Sequence, residues 1–77
     1  MDSVSDLAFF GLLAKNGSLS AAAQELDVTP PAVSRRLTAL ENRLGIRLLN
    51  RTTRRISLTY EGELYLEEGR RILDDLE

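Results

Sequence analysis

The stretch from Ser18 to Arg55, SLSAAAQELDVTPPAVSRRLTALENRLGIRLLNRTTRR, decides the fold. Ser18 or Ser20 can cap a short helix that runs to about Leu26. Ala22 and Ala23 allow a second helix to approach it closely, and Asp27-Val28-Thr29 makes the turn. Asp27 stands where such a turn commonly uses glycine, and aspartate tolerates the left-handed region better than most residues. Thr29 is a cap for the next helix, followed by Pro30 and Pro31 at positions whose N–H groups would be unpaired in any case. On that helix Val33, Leu37, Leu40 and Leu44 share one face, which predicts burial. Pro31, Arg35, Thr38 and Asn42 fall on the opposite face, with Ser34 at its edge. Gly45 ends the helix. Two helices joined by so tight a turn, the second with a polar outer face, make a helix-turn-helix suited to the major groove of DNA.

Charge along the chain supports that reading where the total does not. The 77 residues carry a formal net charge of -2, which taken alone argues against a nucleic-acid partner. Residues 1–28 hold four acids against Lys15, a net of -3. Residues 29–60 hold Arg35, Arg36, Arg43, Arg47, Arg51, Arg54 and Arg55 against Glu41, a net of +6. Residues 61–77 hold seven acids against Arg70 and Arg71, a net of -5. Salt screens charges beyond about 8–10 Å, so the local field decides phosphate binding. The middle third is the expected contact surface and the two ends should face away from it.

The length fits one domain, which at this size buries only about 60% of its unfolded surface. There is no cysteine and no histidine. No metal-ligand cluster or glycine-rich phosphate loop occurs, so no metal or cofactor is expected and an enzyme is disfavoured. No apolar run approaches the roughly 18 residues of a membrane span. The acidic N-terminus does not read as a signal peptide, and cysteine-free composition fits a cytoplasmic setting.

Outside the central stretch, residues 5–15 read as a helix ended by Asn16-Gly17. Val4, Leu7, Phe10, Gly11 and Ala14 form one stripe, expected to face the core. Phe9, Leu12 and Leu13 lie on the other side and are expected to form a partner surface, with additional core as the alternative. Leu48–Arg51 and Arg55–Leu58 read as two short strands, with Thr52-Thr53-Arg54 as the tip of a hairpin. Thr59 caps a fourth helix, with Glu61 and Glu63 at its positive end. That helix carries Leu64, Tyr65, Ile72, Leu73 and Leu76 on a broad apolar side and shows no stop signal, which points to a piece of a longer protein.

Five motifs in order carry a family resemblance. They are A-A-x-x-L at 22–26, T-P-P-A-V-S at 29–34, L-E-x-x-L-G at 40–45, R-L-L-N-R-T-T-R at 47–54 and L-T-x-x-G at 58–62. The set resembles the N-terminal DNA-binding domain of LysR-type transcriptional regulators and covers nearly the whole chain. The resemblance implies a mainly α fold: a winged helix-turn-helix of three helices plus a two-stranded wing, followed by the start of a long linker helix. It divides the chain into a winged domain at 1–59 (helix-turn-helix about 19–44, wing about 46–58) and a truncated linker or dimerisation helix at 60–77. It also implies a bacterial regulator that binds a dyad operator in double-stranded DNA as a homodimer through its linker helices, and possible tetramers in the full-length protein. A small-molecule effector is implied only for a C-terminal domain that this sequence does not contain. Pro30 stands where the family often has glutamine, Asp27 where it often has glycine, and Leu49 where it often has phenylalanine.

The residues expected at DNA are Thr29, Pro30, Pro31, Ser34, Arg35, Thr38, Arg51, Thr52, Arg54 and Arg55. Arg35 is the first choice for a bidentate contact to guanine, with a phosphate contact as the alternative. Arg51, Arg54 and Arg55 are expected on phosphates, with Arg54 entering the minor groove. Arg36 and Arg43 lie on the flank of the helix, where Glu41 is expected to pair with either. The expected dimer contacts are Phe9, Leu12, Leu13, Leu64, Tyr65, Ile72, Leu73 and Leu76. The alternatives are a protein-interaction module on the same scaffold and another winged-helix family such as the MarR-like regulators.

Overall fold

The computed structural model describes residues 3–50 and 55–75. Its elements run α1 (Ser3–Asn16), α2 (Leu19–Leu26), α3 (Pro30–Leu44), β1 (Leu49–Asn50), β2 (Ser57–Leu58) and α4 (Tyr60–Asp75). The expected tip of the wing, with Arg51, Thr52 and Arg54, lies outside the described residues, as does Leu76.

The helix ends follow from local chemistry. The Ser18 hydroxyl accepts from the Ala21 N–H at 3.1 Å and starts α2. Asp27 closes it in the left-handed region, at φ 58° and ψ 44°, and the Val28 N–H bonds back to the Ala23 carbonyl at 3.0 Å. Both groups pair orphan carbonyls of the last turn. Thr29 Oγ1 accepts from the Ala32 N–H at 3.3 Å to start α3, and Gly45, at φ 72°, ends it. Ala22 and Ala23 are buried where α2 packs on α3.

The core is one cluster built on α1. Phe10, Leu13, Val33, Leu37, Leu40 and Leu48 are almost wholly buried. The Phe10 and Tyr65 rings meet edge to face at 5.4 Å between centroids, a favoured aromatic geometry. This arrangement corrects the partner surface expected on α1. Phe9 and Leu13 are buried in the protomer's own core, and Leu12 packs against it half-buried. Three helices cover α1: α2 packs on it, α3 reaches it through Arg36 and Arg43, and α4 packs along it. The Phe9, Phe10 and Leu13 side chains of α1 are therefore used internally. Tyr65, also expected at the dimer contact, is half-buried with its ring set edge to face on Phe10. Two residues expected in the core, Val4 and Leu44, are 41% exposed at the outer ends of their helices.

Two glycines let α4 sit this closely. A Cβ on Gly62 would stand 2.1 Å from the Leu48 carbonyl oxygen, and one on Gly69 would stand 3.1 Å from Leu7 Cδ2. Thr59 fixes where α4 begins. Its Oγ1 accepts from the Gly62 N–H at 2.9 Å and donates to the Arg47 carbonyl at 2.6 Å.

The wing is an antiparallel pair with Leu49 opposite Leu58 and Asn50 opposite Ser57. The Asn50 amide donates across it to the Ser57 hydroxyl at 3.3 Å. Ile56 and Leu58 are half-buried while Arg55 and Ser57 are exposed, the alternation expected of a strand with one covered face. One feature was not expected. Just ahead of β2, Arg55 forms an antiparallel bridge with Ser18, and the Ile56 N–H donates to the Gly17 carbonyl at 2.9 Å.

Candidate nucleic-acid interface

The polar outer face of α3 is an uncovered surface. Pro30, Pro31, Arg35, Thr38 and Asn42 are exposed and Ser34 is half-buried, on the side of the helix opposite the buried Val33, Leu37 and Leu40. Among the described residues Arg35 forms no hydrogen bond or ion pair. Thr29 is exposed but spends its hydroxyl on the cap, and the Thr38 hydroxyl donates to the Ser34 carbonyl at 3.0 Å. The two prolines that open α3 carry no N–H, and the next two N–H groups, of Ala32 and Val33, both bond to Thr29. Arg55 lies exposed on the wing and Arg47 lies exposed between α3 and β1.

The flank of α3 has a different use. Arg43 forms an ion pair with Asp6 of α1, whose side chain is only 7% exposed. The Arg36 guanidinium lies 4.2 Å from the centre of the Phe9 ring, and its Nη2 donates to the Ser5 hydroxyl at 3.1 Å. Both arginines therefore stitch α3 to α1. The Tyr65 phenol is raised above its ordinary value of 10.0 by burial and by the negative charge of Asp6, while Arg43 pulls it down.

Glu41 corrects the sequence reading most clearly. It was expected to pair with Arg36 or Arg43, yet those arginines go to Ser5 and Asp6. Glu41 is only 6% exposed, and its Oε2 accepts from the main-chain N–H groups of Leu48, at 2.7 Å, and Leu49, at 3.2 Å. Nothing in the charge pattern could have shown these two bonds, because their donors are backbone groups.

An exposed, capped helix with one arginine on its outer face, backed by a two-stranded wing, is the architecture the motifs led us to expect. Residues 4–63 match the family model for the bacterial regulatory helix-turn-helix protein, lysR family. The chain belongs to the lysR family. Its lysR-family relatives include the SDS degradation transcriptional activation protein of Pseudomonas sp., 46% identical over 74 residues. That match covers 96% of this chain and 24% of the relative, so the chain spans about a quarter of that regulator's length. Solved structures show the same winged fold. The CbnR_DBD–DNA complex superposes with a TM-score of 0.83 at 42% identity, covering 96% of this chain and 84% of that one. The BenM_DBD/catB site 1 DNA complex gives 0.88 at 30% identity, covering 99% and 81%. At these identities and coverages the lysR-type winged helix-turn-helix is the fold of this chain.

Proposed function

We propose that this chain is the DNA-reading part of a bacterial transcriptional regulator and acts by binding, without catalysis. The observation that carries the reading is the outer face of α3, where Arg35 is exposed and unpaired among the described residues while the neighbouring Arg36 is held inside the protomer. Related domains were solved as DNA complexes, the CbnR_DBD and BenM_DBD structures among them.

In this reading α3 enters the major groove by its N-terminal end. Thr29, Pro30, Pro31, Ser34, Arg35 and Thr38 face the bases and the adjoining phosphates, and Arg35 pairs with a guanine. Arg51, Thr52, Arg54 and Arg55 meet the flanking backbone, with Arg54 in the minor groove. Residues 1–59 form the reading unit, and 60–77 begin a linker helix that pairs with a second copy. Leu64, 49% exposed, is the strongest support for that pairing; Ile72 and Leu73 are half-buried on the same helix. A bacterial regulator meets its DNA in the cytoplasm, which is the compartment we assign.

The test is selection of bound sequences from a random DNA pool. We expect a dyad site bound in the nanomolar range, with affinity falling steeply as salt rises. Equal, salt-insensitive binding to selected and random DNA would overturn the reading.

A further inference from the structure

We propose that Glu41 is the positioning residue that sets the wing against the reading helix; this rests on the DNA-binding reading above. Glu41 is a carboxylate on the buried side of α3, where the other buried residues are Val33, Leu37 and Leu40. A carboxylate is costly in such a place unless hydrogen bonds compensate it. Its Oε2 supplies them by gathering two successive main-chain N–H groups, those of Leu48 and Leu49. Bonds from N–H to an ionised oxygen are shorter and stronger than neutral ones.

The two amides sit where they matter for geometry. Leu49 is the first residue of β1 and pairs with Leu58 of β2. The Leu48 carbonyl accepts from the Thr59 N–H at 3.0 Å, next to the start of α4. The Leu48 peptide thus faces Glu41 of α3 on one side and the β2–α4 junction on the other. A two-stranded ribbon has little stability of its own and takes its place from what it is tied to. On the β2 side that tie is the pair of contacts to Gly17 and Ser18. On the β1 side it is the Glu41 carboxylate. The arginines of the wing and the outer face of α3 must meet one DNA duplex together, and Glu41 joins the helix that carries one set to β1, the strand that leads in sequence toward the other.

The experiment has two arms on the 77-residue chain. In the first, amide hydrogen exchange is followed by NMR without DNA. Glu41→Ala should speed exchange at Leu48 and Leu49 by about tenfold or more, as expected for lost hydrogen bonds, and leave Leu37 and Leu40 near wild-type rates. Glu41→Gln, which keeps an acceptor oxygen, should lie between. In the second arm, Arg54→Ala and Arg35→Ala are each measured in the wild-type and Glu41-variant backgrounds against the selected site. Arg54→Ala should lose most of its effect in the Glu41 variant, from about tenfold to under about threefold, while Arg35→Ala costs the same in both. A role in stability alone would leave both costs unchanged. If Glu41→Ala does not fold, Glu41→Gln carries the same cycle. Unchanged exchange at Leu48 and Leu49, or equal costs for Arg54→Ala in both backgrounds, would overturn the role of Glu41. A wild-type chain that binds no DNA sequence would instead overturn the DNA-binding reading, with the exchange arm still deciding whether Glu41 holds the wing.

Discussion

Arg35 and Arg36 are neighbours on one helix and end in opposite situations. Arg35 stands on the exposed face of α3 and, among the described residues, bonds to nothing. Arg36 lies over the Phe9 ring and donates to Ser5, and Arg43, two turns on, is paired with Asp6. The +6 of the central segment is therefore not one uniform surface. Part of it is offered outward and part is consumed in holding α3 against α1. A count of arginines overstates the charge available to a ligand. What separates the two groups is helical phase: a step of about 100° carries the chain from the open face to the α1 flank.

That division can be broken by substitution, and the largest effect belongs to the inner group. Arg43→Ala leaves the Asp6 carboxylate buried without its cation. Removing one partner of a buried pair is costly, and with the Arg43 side chain 44% exposed we expect about 2 kcal/mol of lost stability. Thermal unfolding should show it, while DNA affinity of the folded protein stays near wild type. Arg35→Ala should do the reverse. It should cost about 1–3 kcal/mol of discrimination at one position of each half-site and leave the unfolding midpoint unchanged. Arg36→Ala should cost about 1 kcal/mol of stability through the lost ring contact and the bond to Ser5. Should Arg36→Ala weaken DNA binding as much as Arg35→Ala, the flank enters the groove and the division fails.

The smallest effect is a titration. Tyr65 is raised above 10.0 in the folded protein. Below pH 10 it is protonated in both folded and unfolded chains, so its favourable contribution is fully present. As pH rises past 10 the unfolded chain ionises first, and stability falls. Asp6→Asn removes one cause of the raised value and should move the phenolate absorbance transition to lower pH. Arg43→Ala removes an opposing charge and should move it to higher pH.

Much of the fold was legible because its signals are local. The caps at Ser18 and Thr29 each bond three residues ahead, and Asp27 and Gly45 end their helices within their own turns. The face of α3 was legible because its apolar residues keep a strict helical period. The sides of α1 were not, because a helix apolar nearly all round gives no phase to read. Only the packing of the other helices shows that Phe9 and Leu13 are interior: Arg36 of α3 lies over the Phe9 ring, and both residues join one cluster with Ala22, Ala23, Val33 and Leu37. Glu41 was misread for a different reason: charge patterning pairs side chains with side chains, and it cannot reveal the two backbone amides, seven and eight residues on, that Glu41 gathers. The wing pairing was expected, whereas the bridge from Arg55 to Ser18 spans a separation that no local pattern encodes.

That bridge has a consequence for solubility. A two-stranded ribbon normally leaves two rows of open backbone groups, each a template on which a strand of another molecule can add. Here the Ile56 amide is taken by Gly17 and the outer amide of Leu49 by Glu41. One amide on each border of the ribbon is thus occupied from within the chain. Strand addition, the usual route from an exposed edge to aggregates, loses a template group on each side at these two amides.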